Sequence, residues 1–277
     1  MTTWDNSDER KTPTSSREWD SSAYDRISAP QLSWGKKVVE RLSVRGDETV
    51  LDAGCGTGKL TREVLQLLSS GHVVGLDVSQ NMLRVARENL GKDFGERVEF
   101  VAADLLALPF DQEFDGIFST AAFHWVPDHD RLFRGLFLAL KPGGWLLAQC
   151  GGAGNLDRLL TRVASLARSQ PFSRYLGDFK NPWVYSDPET TKRRLQAAGF
   201  VSVETSLEPA PTRFETSDQY TEFVSKVILH RHLEQLPNEV LRCELLEALA
   251  QQAAKDRPAY ELDYWRLNLN ASKPEWY

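Results

Sequence analysis

The stretch that decides the fold runs from position 50 to position 58 and reads Val50-Leu51-Asp52-Ala53-Gly54-Cys55-Gly56-Thr57-Gly58. A short apolar run predicts a strand over 49–53, and helical spacing predicts a helix over 59–68 directly after it. Glycines at alternate positions between them allow positive φ and let a ligand approach main-chain atoms closely. A tight turn that binds nothing is the alternative, and three such glycines directly after a strand disfavour it. The pattern therefore predicts a ligand-binding turn.

Short strands alternate with helices on both sides of this turn. The predicted strands are 72–77, 98–103, 114–119 and 145–150, and the predicted helices are 18–42, 128–140 and one that begins after the N-cap Ser79 and runs to Leu90. This alternation predicts an α/β fold with a doubly wound, mostly parallel sheet. The ligand loops are then expected at the carboxyl ends of the strands, near the topological switch point.

The rhythm changes after position 150. Helical spacing over 155–168, 188–198 and 217–255, with a break at Pro237, interrupts extended segments. Gly199 is placed to end the second of these helices. We therefore expect a polar, disordered head over 1–17 and a single domain over 18–277. Within it, 18–150 form the core that binds the cofactor, and 151–277 form a substrate cap and the remaining strands.

Composition restricts the class of protein. The chain has 277 residues, a formal net charge of −6 and 26% charged residues, a balance that argues against a general grip on nucleic acid. The polar head lacks the apolar run of a signal peptide, and no apolar stretch downstream reaches membrane length. The chain has three cysteines that lie far apart in the sequence: Cys55, Cys150 and Cys243. This spacing indicates reduced thiols and neither a disulfide frame nor a metal site. We expect a cytoplasmic protein that binds neither nucleic acid nor membrane.

The glycine-rich turn does not fit two common nucleotide-binding motifs. A dinucleotide fingerprint GxGxxG that starts at Gly54 needs a third glycine where Lys59 stands, and one that starts at Gly56 needs it at Thr61. The chain also has no GxxxxGK[ST] phosphate loop. An NAD-dependent oxidoreductase is therefore disfavoured, and an NTPase has no support.

The acidic residue followed by GxGxG, formed by Asp52, Gly54, Gly56 and Gly58, resembles the first motif of the class I S-adenosylmethionine-dependent methyltransferases. The resemblance implies a Rossmann-like, seven-stranded sheet with a helical cap, and S-adenosylmethionine as cofactor. The turn is then expected to hold the methionine end of the cofactor, with Asp52 near its amino group. Asp77, at the end of the second strand, is expected to accept the ribose hydroxyls.

Further positions match the same family. The resemblance implies that Asp104 accepts the adenine amino group, although a turn or capping role is the alternative. Met82 is expected to pack on the adenine or in the core, and the aromatic rings of Trp19 and Tyr24 to cover the cofactor or simply to pack. The cofactor-contacting positions implied in all are Asp52, Gly54, Cys55, Gly56, Gly58, Asp77, Val78, Met82, Ala103, Asp104, Leu105, Thr120 and Tyr24.

The methyl acceptor is predicted to be a small molecule. The positions after the fourth predicted strand lack the [ND]PP[YFW] motif of base-flipping methyltransferases, and the segment 123–129 resembles the trans-aconitate methyltransferase group. Carboxylate O-methylation is therefore preferred, and the alternative is phenol O-, amine N- or C-methylation of a larger hydrophobic metabolite. A binding protein that uses S-adenosylmethionine without catalysis is less favoured. No cluster of His, Cys and carboxylate residues suggests a metal.

Several residues are candidates for work on the acceptor. His124 is the candidate catalytic base, or it orients its loop. Arg266 is a candidate carboxylate clamp or a solvated side chain, and the Arg231-His232 pair has the same two interpretations. The turn 140–144 before the fifth strand is interpreted as structural. Aromatic residues of the cap are expected to line an apolar pocket or to close the cap's own core: Phe172, Tyr175, Phe179, Trp183 and Tyr185.

Overall fold

The computed structural model describes residues 29–276. Helices and strands alternate in its first half, and each predicted strand there is confirmed to within a few residues. The elements are α1 (Ala29–Val39), β1 (Thr49–Ala53), α2 (Lys59–Leu67), β2 (His72–Asp77), α3 (Gln80–Phe94), β3 (Val98–Ala102), β4 (Phe114–Thr120), α4 (His129–Ala139) and β5 (Leu140–Gly151). Short 3-10 helices at Gly95–Arg97 and Phe123–Trp125 precede β3 and α4.

The second half contains most of the cap. Its elements are α5 (Asp157–Ala167), α6 (Ser173–Leu176), α7 (Pro188–Ala197), β6 (Val201–Pro209), β7 (Thr212–Arg213), α8 (Ser217–Phe223), a π-helix (Val224–Ile228), α9 (His230–Glu234), α10 (Glu239–Ala253), β8 (Glu261–Leu262) and β9 (Trp265–Ser272). The helix expected over 217–255 is divided more often than Pro237 alone predicts. The π-helix interrupts it first, and Asn238 then caps α10 by accepting a hydrogen bond from the Leu241 amide at 3.0 Å.

The sheet has seven strands in the order β3-β2-β1-β4-β5-β9-β6. Strands β1 to β5 pair in parallel, whereas β9 runs antiparallel between β5 and β6. The predicted doubly wound, mostly parallel sheet is confirmed. The strand order reverses direction between β1 and β4, so the carboxyl ends of these two strands border the crevice where ligands bind in such sheets.

Helix caps follow the predicted chemistry. The Ser79 hydroxyl accepts a hydrogen bond from the Met82 amide at 3.3 Å, and the Asp128 carboxylate accepts one from the Arg131 amide at 2.9 Å. These side chains satisfy amides that the first helical turn leaves without a partner. Ser79 therefore starts α3 directly beyond the carboxyl end of β2, and Asp128 starts α4 after the loop and 3-10 helix that follow β4.

The turn predicted over 140–144 lies inside β5 and not before it. Phe114 pairs with Leu140, and Gly116 then pairs with Trp145, so the intervening residues loop out of the ladder. Gly143 has φ +77°, which favours glycine at this position. The strand resumes after the loop because the Lys273 amide donates to the Gly144 carbonyl at 2.8 Å.

Three apolar clusters hold the molecule together. Alternate residues of β4 point to opposite faces of the sheet, so that Ile117 joins a cluster under α4 and α7 and Phe118 joins one under α2 and α3. The cap has a cluster of its own, to which α1 contributes Trp34. None of the helices within 29–276 has the length and apolar character needed to cross a bilayer. The space between the cap and the strand ends contains the site.

Candidate functional site

A cavity of about 310 Å³ lies at the carboxyl ends of β1, β2, β3 and β4. It therefore occupies the crevice predicted from the strand order. Nine of the predicted cofactor positions line it: Gly54, Gly56, Asp77, Val78, Met82, Ala103, Asp104, Leu105 and Thr120. The structure thus brings together residues from four separate loops that sequence reasoning selected one by one.

Glycine is required at positions 56 and 58 of the turn for two different physical reasons. Gly56 has φ +54° and lines the cavity, and a Cβ added there would meet no atom within 4 Å. Gly58 has φ +80°, and a Cβ there would lie 2.8 Å from the Leu90 side chain and 3.3 Å from Ala86 on α3. Gly56 therefore leaves room for a ligand over the backbone, whereas Gly58 lets α2 begin close against α3.

Asp77 faces the cavity and is held by the backbone. Its Oδ2 accepts a hydrogen bond from the Gly56 amide at 2.9 Å, and its Oδ1 accepts one from the Ser79 amide at 2.9 Å. Each carboxylate oxygen can accept more than one hydrogen bond. The pair of oxygens thus has a fixed orientation and the acceptor capacity that two ribose hydroxyls require.

The part of the cavity that follows β2 and β3 combines the acid Asp104 with apolar walls. Asp104 Oδ1 accepts a hydrogen bond from the Leu106 amide at 2.9 Å, so the turn role considered for Asp104 is present while the residue also lines the cavity. Met82 is buried, which agrees with the core role considered for it, and it also lines the same cavity. Packing of Met82 on the adenine stays a prediction. The Gly56 cradle, the Asp77 acceptors and these walls fit a nucleoside cofactor with an amino acid tail.

Asp52 and Cys55 lie under the turn and not on the cavity wall. Asp52 is 2% exposed, and its Oδ2 accepts a hydrogen bond from the Thr61 hydroxyl at 2.6 Å. Burial raises the pKa of Asp52 to about 7, the Thr61 hydrogen bond lowers it and the nearby Asp77 charge raises it further. Burial also raises the pKa of the Cys55 thiol well above its usual value. Contact between the cofactor and Asp52, Cys55 or Gly58 stays a prediction, and Trp19 and Tyr24 lie outside the described residues.

A second cavity of about 50 Å³, here called the inner cavity, adjoins the first. Ala121 and Trp125 line both. By volume it holds roughly three to five water molecules, so it suits one polar group and a few attached atoms. Its remaining lining residues are Gln31, His124, Asn155, Leu156, Trp183, Tyr185, Val227, Ile228, Tyr264 and Arg266.

Arg266 is the cationic residue of the inner cavity. It is 3% exposed, so the interpretation of Arg266 as a solvated side chain is wrong. Its Nε donates to Gln149 Oε1 at 3.4 Å, and its guanidinium carbon lies 4.7 Å from the centre of the Trp34 ring. Arg266 is buried because its strand, β9, lies between β5 and β6, and because α1 covers this face of the sheet. A planar, permanently charged donor thus faces a small enclosed space.

His124 is neutral and has a defined tautomer. Its Nδ1 accepts a hydrogen bond from the Gly151 amide at 3.3 Å. Burial lowers the pKa of His124 well below its usual value, and the charges of Arg266 and His129 lower it further. A neutral imidazole that accepts at Nδ1 carries its proton at Nε2. His124 is therefore built to donate a hydrogen bond, and it accepts a proton only if the Gly151 contact breaks.

The aromatic residues of the cap take both of the roles considered for them. Phe172, Tyr175 and Phe179 belong to the core of the cap, and Tyr185 lines the inner cavity. Trp183 packs against the cap core and also lines the inner cavity. The rings of Trp183 and Tyr185 are stacked at 6.0 Å with an interplanar angle of 7°, and Trp125 meets Trp183 at 5.6 Å. These rings give the inner cavity an aromatic wall.

The Arg231-His232 pair is split between two environments. The Arg231 guanidinium lies 5.7 Å from the centre of the Trp125 ring and lines the larger cavity. His232 is buried, and its Nε2 lies 3.0 Å from Asn181 Oδ1. Burial lowers the pKa of His232 to about 4, and the neighbouring His230 lowers it further. Arg231 therefore belongs to the site, and His232 belongs to the packing of the cap.

Sequence reasoning missed other parts of the inner cavity, such as Gln31, Asn155 and Tyr264. These residues come from separate elements, and no local motif marks them. One signal was available in β9, where Arg266 and Asn268 alternate with Leu267 and Leu269. Polar residues on one face of a strand that is buried on both faces indicate a buried polar site. Within 29–276, no group of three or more His, Cys, Asp or Glu side chains is arranged to hold a metal ion.

Known methyltransferases resemble this chain in sequence. The sequence profile described as a methyltransferase domain matches residues 50–144. An uncharacterized methyltransferase of Schizosaccharomyces pombe is 30% identical over 192 residues, which cover 66% of this chain and 70% of that protein. The ubiquinone/menaquinone biosynthesis C-methyltransferase UbiE of Escherichia coli is 34% identical over 187 residues, which cover 62% of this chain and 73% of that protein.

A solved structure shares the fold. The phosphoethanolamine N-methyltransferase 2 of Haemonchus contortus, in complex with S-adenosyl-L-methionine, aligns with a TM-score of 0.60 at 21% identity. The alignment covers 92% of this chain and 56% of the nematode chain, so the chain spans little more than half the length of that enzyme. At this identity the likeness concerns the fold.

Proposed function

The chain belongs to the class I S-adenosylmethionine-dependent methyltransferases, and within that family we propose that it methylates the carboxylate of a small organic acid. The observation that carries this proposal is the buried guanidinium of Arg266 in the inner cavity, next to the cofactor cavity. A guanidinium presents donors in a planar fork that matches the two oxygens of a carboxylate. The small volume of the inner cavity favours a compact acceptor group.

S-adenosylmethionine is the cofactor, and it supplies an electrophilic methyl group when bound. On the protein side, we assign Asp77 to the ribose hydroxyls, Asp104 to the adenine amino group and the turn at Gly54 and Gly56 to the methionine end. Val78, Met82 and Leu105 provide the apolar walls. The residues thus fix the cofactor through backbone and carboxylate groups that are already oriented.

The acceptor side needs positioning more than acid–base chemistry. A carboxylate is already ionised at neutral pH, so no residue has to remove a proton from it. This agrees with His124, whose Nδ1 is engaged by Gly151 and whose Nε2 is a donor. Arg266 and His124 would hold the carboxylate in the orientation required for attack. The rings of Trp125, Trp183 and Tyr185 would exclude water, which otherwise stabilises the separated charges.

A second candidate, methylation of a planar ring at carbon or at a phenol oxygen, is favoured by the same aromatic wall. The Escherichia coli relative bears the name of a C-methyltransferase. Such acceptors must lose a proton during the reaction. We rank this candidate lower because the pKa of His124 is depressed by burial and its Nδ1 is already an acceptor.

The test is methyl transfer from isotopically labelled S-adenosylmethionine to matched acceptors. Each carboxylic acid in the panel, trans-aconitate among them, is paired with its own primary amide, and phenols and amines of similar size are included. We expect the acids to take up label and the amides to take up none, with products that release labelled methanol in alkali. An alkali-stable product from a phenol, an amine or a ring carbon would overturn the proposal and leave the cofactor assignment in place.

A further inference from the structure

Four polar side chains form a continuous strip across β5 and β9, here called the polar strip: Arg266, Gln149, Asn268 and Arg41. Arg266 Nε donates to Gln149 Oε1 at 3.4 Å, and Gln149 Nε2 donates to Asn268 Oδ1 at 2.9 Å. Arg41 completes the strip by donating from Nη1 to the same Asn268 oxygen at 3.1 Å. Arg266, Gln149 and Asn268 are buried, and Arg41 lies at the surface.

The register of the sheet explains why these side chains meet. Gln149 is the cross-strand partner of Asn268, and Gly151 is the partner of Arg266. Side chains two residues apart on a strand point to the same face of the sheet, and so do cross-strand partners. Arg266, Asn268 and Gln149 therefore share one face. Helix α1 covers this face, with Trp34 over the Arg266 guanidinium. The strip therefore lies between the sheet and α1, and it ends at the inner cavity.

The strip determines which way the Gln149 amide points. Asn268 Oδ1 receives hydrogen bonds from both Gln149 and Arg41, and an arginine can only donate. The oxygen of Asn268 must therefore face these two donors, and Gln149 must present its NH₂ group to Asn268. The Gln149 oxygen is left facing Arg266. Because Gln149 is neutral, it orients the guanidinium without cancelling its charge, which a glutamate at the same position would do.

We propose that Gln149 is the positioning residue of the acceptor site: it orients Arg266 toward the inner cavity and so makes the enzyme selective for anionic acceptors. This inference rests on the proposed function for the identity of the acceptor. Gln149 itself does not line the inner cavity, and it acts through Arg266. The selectivity of the site is therefore set by an amide one layer behind the residue that contacts the acceptor.

The experiment uses two substitutions and one matched control. Gln149→Glu places a carboxylate next to Arg266, and Gln149→Met keeps the length of the side chain and removes its hydrogen bonds. Gln251→Glu makes the same chemical change at an exposed position of α10. The acceptor KM, kcat and the affinity for S-adenosylhomocysteine are measured for each. In the S-adenosylhomocysteine complex, the Nε–H resonance of Arg266, assigned by its loss in Arg266→Lys, is followed by hydrogen exchange.

We expect Gln149→Glu to raise the acceptor KM by about 100-fold and Gln149→Met to raise it by about tenfold. In both variants the affinity for S-adenosylhomocysteine should stay within twofold, which also shows that they are folded. The Arg266 Nε–H should exchange faster in Gln149→Met than in the parent, and Gln251→Glu should behave as the parent does.

An unchanged acceptor KM in Gln149→Glu that still binds S-adenosylhomocysteine would overturn the inference. So would parent-like exchange of the Arg266 Nε–H in Gln149→Met. This second readout needs no acceptor. If no carboxylate is methylated but the Nε–H loses protection, the proposed function fails and the positioning of Arg266 by Gln149 stands. If carboxylates are methylated and neither readout changes, the proposed function stands and the role of Gln149 fails.

Discussion

The cofactor cavity and the inner cavity adjoin, but the chain builds them in different ways. The cofactor cavity is formed mainly by loops that follow β1, β2, β3 and β4 in chain order, largely from backbone and short side chains. The inner cavity collects long side chains from Gln31 on α1 to Arg266 on β9. The first site is thus local in sequence, and the second exists only when distant elements have met.

The charges of the two cavities also differ. Asp77, Asp104 and Arg231 line the cofactor cavity, and Asp52 is buried beneath its turn. The charged residue that lines the inner cavity is Arg266. The profile match over residues 50–144 covers most of the first region and ends before Asn155 and Arg266. Family membership therefore accounts for the donor side, and the acceptor has to be argued from the inner cavity itself.

The largest effect is expected from a substitution in the inner cavity that impairs use of the acceptor and leaves cofactor binding intact. Arg266→Gln should lower kcat/KM for a carboxylate acceptor by about 1,000-fold, because truncating a buried charged partner costs roughly 4 kcal/mol. Binding of S-adenosylhomocysteine, measured by calorimetry, should stay within twofold. Arg84→Gln, which removes an exposed arginine on α3, is the control for loss of one positive charge. An equal loss of cofactor affinity in Arg266→Gln would show that the two cavities are not separable.

A substitution of Asp77 tests the cofactor cavity in the same way, because it should weaken binding of the cofactor. Asp77→Ala should raise the Kd of S-adenosylhomocysteine by about 100-fold, since it removes the ribose acceptors and the carboxylate that fixes Gly56. Asp77→Asn keeps one acceptor oxygen and should weaken binding less. Calorimetry measures both, with the exposed Asp47→Ala as control. Affinity equal to that of the parent in Asp77→Ala would sink the ribose assignment.

Asp52 tests whether the cofactor side is built at a cost in stability. Its pKa is about 7 in the folded chain, above the ordinary value of 3.8. The folded state therefore keeps a proton on Asp52 that the unfolded state releases. The contribution of protonated Asp52 to the free energy of unfolding is fully present below the unfolded pKa and is lost as pH rises to about 7. Asp52→Asn cannot ionise.

We therefore expect Asp52→Asn to match the parent near pH 4 and to have a free energy of unfolding higher by about 2–4 kcal/mol at pH 8. Urea unfolding across this pH range measures the difference. Thr61→Val removes the hydroxyl that lowers the pKa of Asp52. Relative to the parent, its free energy of unfolding should therefore fall between pH 4 and pH 8, whereas that of Asp52→Asn should rise. A constant difference between Asp52→Asn and the parent from pH 4 to pH 8 would contradict the burial of an ionisable Asp52.

The smallest effect is expected at His124. Gln at this position keeps a donor where Nε2–H stands, so His124→Gln should retain kcat within about tenfold on a carboxylate acceptor. The pH profile of kcat/KM from pH 6.5 to 8.5 should have the same shape in the parent and in His124→Gln, because the pKa of His124 lies well below its usual value. An inflection near neutral pH that disappears in His124→Gln would restore the general-base role.

The difference between the cavities also explains what the sequence can predict. The strands over 49–53 and 72–77 and the cap at Ser79 follow from local patterns of apolar residues and hydroxyls. The expectation that Asp77 lines the cofactor site follows from the family resemblance of the motif around it. The inner cavity depends on contacts between residues far apart in the chain. Whether Arg266 is solvated or buried depends on β9 entering the sheet between β5 and β6, and no local pattern reports that pairing.

Two local predictions failed for related reasons. The helical stretch over 217–255 is predicted to break at Pro237, but a π-helical segment that places Val227 and Ile228 against the inner cavity ends the α-helical spacing earlier. The glycines at 143 and 144 indicate a turn correctly, but the pairing of Gly144 with Lys273 keeps that turn within β5. In both cases, tertiary contacts decide how far an element extends.

The place of β9 in the sheet has a consequence for the order of events on the ribosome. Strands β1 to β4 pair only with one another and with β5, and most of the loops that line the cofactor cavity have been synthesised once β4 and its following turn are made. Strand β6 pairs only with β9, which follows it by more than fifty residues. Most of the residues that line the cofactor cavity are therefore synthesised well before Arg266. At that stage the inner cavity lacks its cationic residue.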